Sequence, residues 1–181
     1  MNTTELKTQW ILDPSHSELT FKVKHLMITN VKGEFQRFDA SIESDGSDFK
    51  NAKVNATIDV DSIYTNNADR DAHLKSADFF DVESHKEITF ASTELNKLDE
   101  QNYQLKGLLS LKGTSKEVVL DVEFGGFIKD PYGNEKAGFS ISGKINRKDF
   151  GLSWNATLEA GGVMVSEEVK LYGEIQFVKQ V

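Results

Sequence analysis

Apolar and polar residues alternate with a period of two through most of the chain. Leu19, Phe21 and Val23 alternate with Thr20, Lys22 and Lys24, and Val31, Gly33 and Phe35 keep the same odd parity through residues 29–35. Residues 52–60 repeat the pattern, with Val54, Ala56, Ile58 and Val60 set against Lys53, Asn55, Thr57 and Asp59. Such runs predict half-buried strands, one face toward a core and the other in water. The same pattern predicts strands at about 86–95, 103–113, 116–128, 135–146 and 167–178, with a short extended piece at Gln9–Leu12 pairing with one end. Turns fall at Asp45-Gly46, at the polar stretch Leu98–Asn102 and at Pro131-Tyr132-Gly133-Asn134.

One segment departs from this period. Residues 66–77 open with the helix-capping types Asn66 and Asn67 and carry Asp69 and Asp71 in the first turns, which predicts one helix. Residues 147–166 read as a Gly-rich connection with a helical turn near Lys148–Gly151. No linker or low-complexity block divides the chain, so a single domain is expected over 1–181. The fold class is all-β: eight antiparallel strands in hairpin order with the helix inserted, closed into a barrel because closure removes the exposed sheet edges.

Strand parity carries a second message. Gly33, Gly107, Gly143 and Gly173 each fall on a face that is otherwise apolar. A glycine inside a strand marks a bend, a bulge or the close approach of another group. Two readings follow: four kinks that let the sheet coil, or missing side chains that leave an apolar hollow. An eight-stranded barrel lies near the size at which the interior is either filled or holds one small ligand. The expected lining is Phe21, Val23, Phe35, Phe90, Leu109, Leu111, Phe139 and Ile141, which is uncharged and suits an apolar guest. At roughly 0.8 kcal/mol per buried methylene, one five-carbon prenyl unit contributes at most about 4 kcal/mol. Association costs about 4–15 kcal/mol, so a guest of this kind must be a long chain.

Composition sharpens the picture. Phe supplies 12 residues against 2 Trp and 4 Tyr, area without a polar handle, in a chain that is only 38% hydrophobic. The absence of cysteine excludes disulfide scaffolds, Cys-based zinc sites, Fe–S clusters and thiol catalysis. A net charge of -8 argues against nucleic acid and anionic membranes as partners. Nowhere do about 18 apolar residues run together, so no transmembrane helix is expected. MNTTELKTQW has no apolar run and reads as no secretory signal. A cytoplasmic protein is therefore expected, or a periplasmic or secreted one if this N-terminus is a processed form.

The polar residues offer little chemistry. His16, His25, His73 and His85 show no HExxH and no pairing at i, i+4, so a metal would need His16, His25 and His73 gathered by folding. On the predicted helix Arg70 and His73 share a face, and Asp69 lies four residues before His73. That segment is either a surface helix tied down by ion pairs or a polar lid over a ligand's head group. Ser17 and His16 are adjacent and point to opposite faces of a strand, so they form no nucleophile–base pair. Gly125-Gly126 and Gly161-Gly162 are isolated doublets without a phosphate-binding context. Asn55-Ala56-Thr57 and Asn155-Ala156-Thr157 match a glycosylation acceptor that matters only in a secreted eukaryotic protein.

Taken in order, a set of motifs resembles the YceI-like family of lipid-binding proteins. They are WILDPSHS from Trp10, FKVKHL from Phe21, VKGEF from Val31, NADRDAHLKSADFFD from Asn67, ITF from Ile88, GLLSLKGTSK from Gly107, RKDFGL from Arg147 and Gly161-Gly162. The match is collinear over about residues 10–178. It implies an extended, lipocalin-like eight-stranded barrel whose apolar tunnel holds a polyisoprenoid or similar fatty amphiphile, frequent homodimers and no cofactor. Carried onto this chain, Arg70, Asp71, His73 and Asp78 organise the helix and the tunnel mouth, and Phe79 and Phe80 pack near the lipid. Leu74 and Trp154 complete the expected lipid-binding set. The family's frequent signal peptide is not seen here.

The expected function is thus a non-enzymatic module that binds a long-chain isoprenoid or similar amphiphile for transport, storage or sequestration. The alternatives are a hydrolase or isomerase that acts on a lipid-like substrate through His acid–base groups, and an interaction protein whose barrel is fully packed.

Overall fold

The computed structural model describes residues 7–46, 49–155 and 164–180. Gly161-Gly162 and the Ala156-Thr157 part of the second acceptor motif lie outside them. The strands are β1 (Lys7–Leu12), β2 (Glu18–His25), β3 (Thr29–Phe35), β4 (Phe38–Asp45), β5 (Lys50–Asp59), β6 (Ile63–Tyr64), β7 (Glu87–Lys97), β8 (Asn102–Leu111), β9 (Thr114–Lys129), β10 (Glu135–Asn146) and β11 (Val165–Lys179). One helix, α1, spans Ala68–Lys75. All pairings are antiparallel, and the strands form a single sheet.

Eight strands make a closed circuit in the order β1-β4-β5-β7-β8-β9-β10-β11, because β11 pairs back onto β1 at Trp10–Lys179, Ile11–Val178 and Leu12–Phe177. Earlier along β11, residues Val165–Glu174 pair with β2 instead, and β3 and β6 continue that arm. The expected eight-stranded barrel is therefore present with a corrected membership. β2 and β3 form the arm, and β4 takes a place in the circuit that the periodicity did not assign. In β4 the inward positions are Phe38, Ala40, Ile42 and Ser44, where small and polar residues weaken the apolar alternation.

The break between β1 and β2 is a short 3-10 turn, Pro14–His16, capped by Asp13. The Asp13 carboxylate accepts hydrogen bonds from Ser15, from His16 Nδ1 at 2.8 Å and from Lys136 Nζ at 2.8 Å. Ser17 Oγ donates to the Asp13 carbonyl and accepts from the Gln176 amide. The two halves of this path are thereby pinned to β10 and β11.

The registers define two ends. At one lie the β2–β3 turn, α1, the β8–β9 turn and the connection after β10, which begins with a 3-10 turn at Arg147–Phe150 closed by Gly151 in the left-handed region, φ 77°. At the other lie the β4–β5, β7–β8 and β9–β10 turns. An aromatic plug fills that end: Phe49 stacks on Phe127 at 5.6 Å, Trp10 lies 5.7 Å from Phe49, and Phe124 is 4.9 Å from Phe127. Among the described residues no helix is long and apolar enough to cross a membrane.

Lys136 hydrogen-bonds the Asp13 carboxylate and holds it well below the usual carboxylate range, with smaller help from His16 and Ser15. A carboxylate depressed in this way stabilises the fold above its unfolded-state value near 3.9, and the contribution is lost as pH falls toward the lower folded value. Asp13→Asn should cost about 1–3 kcal/mol in urea unfolding at pH 7. The gap from wild type should shrink at pH 3, and a pH-independent gap would mean that the carboxylate's charge contributes nothing.

Candidate functional site

Enclosed by the circuit together with the β2–β3 arm lies a cavity of about 400 Å³. Many of its wall residues, among them Phe21, Val23, Ala40, Ala56, Phe139 and Ile141, sit on the inward face of their strands and are nonetheless only half-buried. A filled barrel would bury them, so their accessibility is toward the lumen. All of Phe21, Val23, Phe35, Arg70, His73, Leu74, Phe79, Phe80, Phe90, Leu109, Leu111, Phe139, Ile141 and Trp154 touch this cavity. The structure also brings in residues outside the expected lining, including Phe38, Phe49, Val54, Leu95 and Tyr103.

The glycines need a correction. A Cβ on Gly33 would lie 2.2 Å from the Phe21 ring, on Gly107 2.4 Å from the Phe90 ring, on Gly143 2.6 Å from Leu120 and on Gly173 2.7 Å from Ile141. Each vacated space is therefore taken by a neighbouring side chain that lies flat on the wall. The hollow is not made of absent glycine side chains. The glycines let bulky neighbours stay out of the lumen, while Ala40, Ala52 and Ala56 keep part of the wall thin.

Charge appears in the lining only at the helix end, as Arg70, Arg147 and Lys24, with His25 and His73 beside them. Arg70 and His73 were expected at this mouth; Lys24 and Arg147 are additions to the expected set. Ion pairs help to hold the helix, Lys75 to Asp61 at 3.3 Å among them, and a set of hydrogen bonds adds to them. Asn67 caps it by accepting from the Arg70 amide at 2.9 Å. Arg70 donates from Nε to the Thr65 hydroxyl and from its terminal nitrogen to the Thr65 carbonyl, at 2.8 and 2.6 Å, while the Asp71 carboxylate accepts from the Thr65 amide and hydroxyl. His73 Nε2 meets Asp78 at 2.9 Å, and its ring stands edge-on to Phe79 and Trp154 at 5.1 and 4.9 Å. Thus α1 is a surface helix, with none of its residues fully buried, and it roofs the lumen with Leu74 and His73.

Arg147 is the principal residue missed by sequence reasoning. Only 3% exposed, its guanidinium donates to the carbonyls of Leu152, Trp154, Val165 and Ser166. Burial pushes it below its ordinary pKa, partly offset by Glu167. It belongs to the RKDFGL motif, but nothing in that motif indicates that a cation will be enclosed by carbonyls from a distant segment.

The other histidines do not assemble. His16 is spent on Asp13 at the strand break, at the far side of the barrel from His25 at the end of β2. Among the described residues no group of three His, Cys, Asp or Glu side chains is placed to hold a metal.

A family model described as the YceI-like domain matches residues 10–177. The chain belongs to the YceI-like family. It is 42% identical over 171 residues to a UPF0312 protein of Staphylococcus epidermidis, covering 94% of this chain and 97% of that one. A UPF0312 protein of Staphylococcus aureus is 40% identical over the same length and shares. Among solved structures, a Campylobacter jejuni YCEI protein superposes with a TM-score of 0.75 at 35% identity over the full length of both chains. Burkholderia cenocepacia BcnA gives 0.79 at 20% identity, covering 91% and 98%, and a polyisoprenoid binding domain from Saccharophagus degradans gives 0.64 at 14%, covering 94% and 98%. These last two show the fold alone. The YceI-like barrel expected from the motifs is the one observed.

Two substitutions test how the site is held. Arg147→Met takes the guanidinium from four carbonyls, of which Val165 keeps Asn155 Nδ2 at 2.8 Å, and should cost about 3 kcal/mol in urea unfolding, with a shift in tryptophan emission as Trp154 loosens. A cost under about 1 kcal/mol would mean that the carbonyls find other donors. Gly107→Ala should destabilise more than Gly33→Ala, because the new Cβ at 107 also meets the Ala91 carbonyl at 2.7 Å and backbone cannot swing aside as the Phe21 ring can. Equal costs from thermal melts would contradict this.

Proposed function

We propose that this YceI-like protein binds a long-chain isoprenoid or a similar amphiphilic lipid, with the chain in the lumen and the polar head at the helix end, and that it serves transport, storage or sequestration rather than catalysis. The observation that carries this reading is the polarity of the cavity. Its wall is apolar from the aromatic plug to the middle of the barrel, and its charged residues gather at one end, beside Arg70, His73 and Arg147. An apolar chain with one polar terminus matches that gradient. A volume of about 400 Å³ also falls in the roughly 300–1,000 Å³ range of ligand pockets. The polyisoprenoid binding described for the Saccharophagus degradans neighbour supports the same class of guest.

In this reading Phe21, Val23, Phe35, Phe90, Leu109, Leu111, Phe139 and Ile141 contact the chain. Leu74, Phe79, Phe80 and Trp154 close over it, with Arg70 and His73 nearest the head group. Homodimerisation accompanies the reading as an expectation from the resemblance.

The second reading, a hydrolase or isomerase acting on a lipid-like substrate, has one observation on its side: the His73–Asp78 pair at the lumen. Among the described residues the His73 ring hydrogen-bonds Asp78 alone, so no nucleophile is delivered to it. In the binding reading, His73→Ala alters retention of the lipid; in the enzymatic reading it abolishes product while the lipid stays bound.

Native mass spectrometry of the purified protein should show an extractable lipid, or uptake of an added prenyl lipid. Ala56→Phe, which places a ring into the lumen, should lower that uptake at least about tenfold with the fold retained by circular dichroism. A protein that remains at its bare mass after mixing, or an Ala56→Phe variant that binds as wild type, would sink the proposal.

A further inference from the structure

The β2–β3 turn is built against its own chemistry. Leu26 and Met27 occupy its two central positions with φ of 53° and 63°, and the Ile28 amide closes it onto the His25 carbonyl at 3.2 Å. Such a turn favours Asn-Gly, because both residues sit in the left-handed region. Here it instead presents apolar side chains to solvent, with Met27 58% and Ile28 77% exposed.

Beside this turn the outer face of the sheet carries a row of lysines in register. Lys32 faces Lys22, Lys22 faces Lys170, and Lys170 faces Lys144, across β3, β2, β11 and β10. At about 4.8 Å between strands the row spans roughly 15 Å. All four are exposed, and none has a carboxylate partner among the described residues, whereas Lys75, Lys106 and Lys148 pair at 3.3, 3.7 and 2.8 Å. Glu34 and Glu168, one row away on either side, form no ion pair with it. Like charges directly opposite one another destabilise a sheet, so the row is costly in the isolated molecule. Tyr172 shares this face, with Lys22 Nζ 5.3 Å over its ring.

We propose that this face docks on the surface of an anionic lipid bilayer. The lysine row meets the phosphates, Tyr172 lies at the interface and Leu26, Met27 and Ile28 insert among the head groups. The net charge of -8 opposes such contact for the molecule as a whole. A screening length of roughly 10 Å, however, lets this face act on its own. The turn also flanks the lumen, since His25 and Met164 line the cavity and the Leu26 amide donates to the Met164 carbonyl at 2.8 Å. Docking thus brings the helix end of the cavity to the membrane, where a lipid could load or leave. That purpose rests on the lipid reading of the cavity; the docking itself does not.

Vesicle co-sedimentation tests it, with phosphatidylglycerol mixed into phosphatidylcholine in one arm and phosphatidylcholine alone in the other. Binding should appear in the anionic arm and fall on going from about 0.1 to 1 M salt. Replacing Lys22, Lys32, Lys144 and Lys170 together by Gln should weaken it at least about tenfold. The Met27→Ser/Ile28→Ser variant should weaken it by a similar factor. Equal binding to both vesicles, or undiminished binding by the Gln variant, overturns the proposal. So does a row that governs self-association or single-stranded nucleic acid binding while vesicle binding is absent. A fluorescent fatty probe taken up in solution reads the cavity separately, so docking can fail while uptake persists, and the reverse.

Discussion

Everything in this molecule depends on one strand serving two partners along the same edge. β11 gives its N-terminal stretch to β2 and its C-terminal end to β1, and only three residue pairs join β11 to β1. Without that closure β1 and β11 would be open edges and the inward faces would collapse on one another. Asp13 is placed where the chain leaves one partner for the other, and its contacts with Lys136 and His16 hold the changeover. Closing eight strands while keeping small residues at Ala40, Ala52 and Ala56 produces a wall without a filled interior.

The two ends of that wall answer different demands. Phe49, Phe124 and Phe127 with Trp10 close one end by aromatic contact, at the cost of a buried Trp10 indole N–H without a hydrogen-bond partner. The other end, where the charged lining residues gather, is roofed by separately anchored pieces. α1 is tied through Thr65, and the connection after β10 is gathered by the Arg147 guanidinium onto four carbonyls. Lys112 reaches the carbonyls of Ala77 and Gly151 at 3.5 and 3.4 Å and so links the roof to the β8–β9 turn. Buried polar groups of this kind are strong only while every member is satisfied. Polarity at the mouth and aromatic packing at the plug together give the lumen a direction.

Much of this was legible in advance where the determinants are local. Period two located β2, β3, β5 and β7 to β11, and Asn67 marked the start of α1 because a cap is a property of a few adjacent residues. β4 escaped because its inward Ala40 and Ser44 carry little hydrophobic contrast, although they are what a thin wall requires. The candidate lining was readable as strand parity. The fate of the glycines was not, because the ring over Gly33 comes from the neighbouring strand and the ring over Gly107 from another. Charge was misleading as a sum: a total of -8 conceals four lysines that become neighbours only through register.

The amino-acid order by itself determined the class of fold, the apolar character of the inner faces, the helix cap and the family, since each rests on periodicity or on contiguous motifs. Tertiary structure alone decided which strands close the circuit, that Arg147 is enclosed by carbonyls, that the glycines are covered and that the lysines align. Those features depend on which residues meet across strands. A one-residue change of register would reverse every face, and register is set by the packed whole rather than by any single segment.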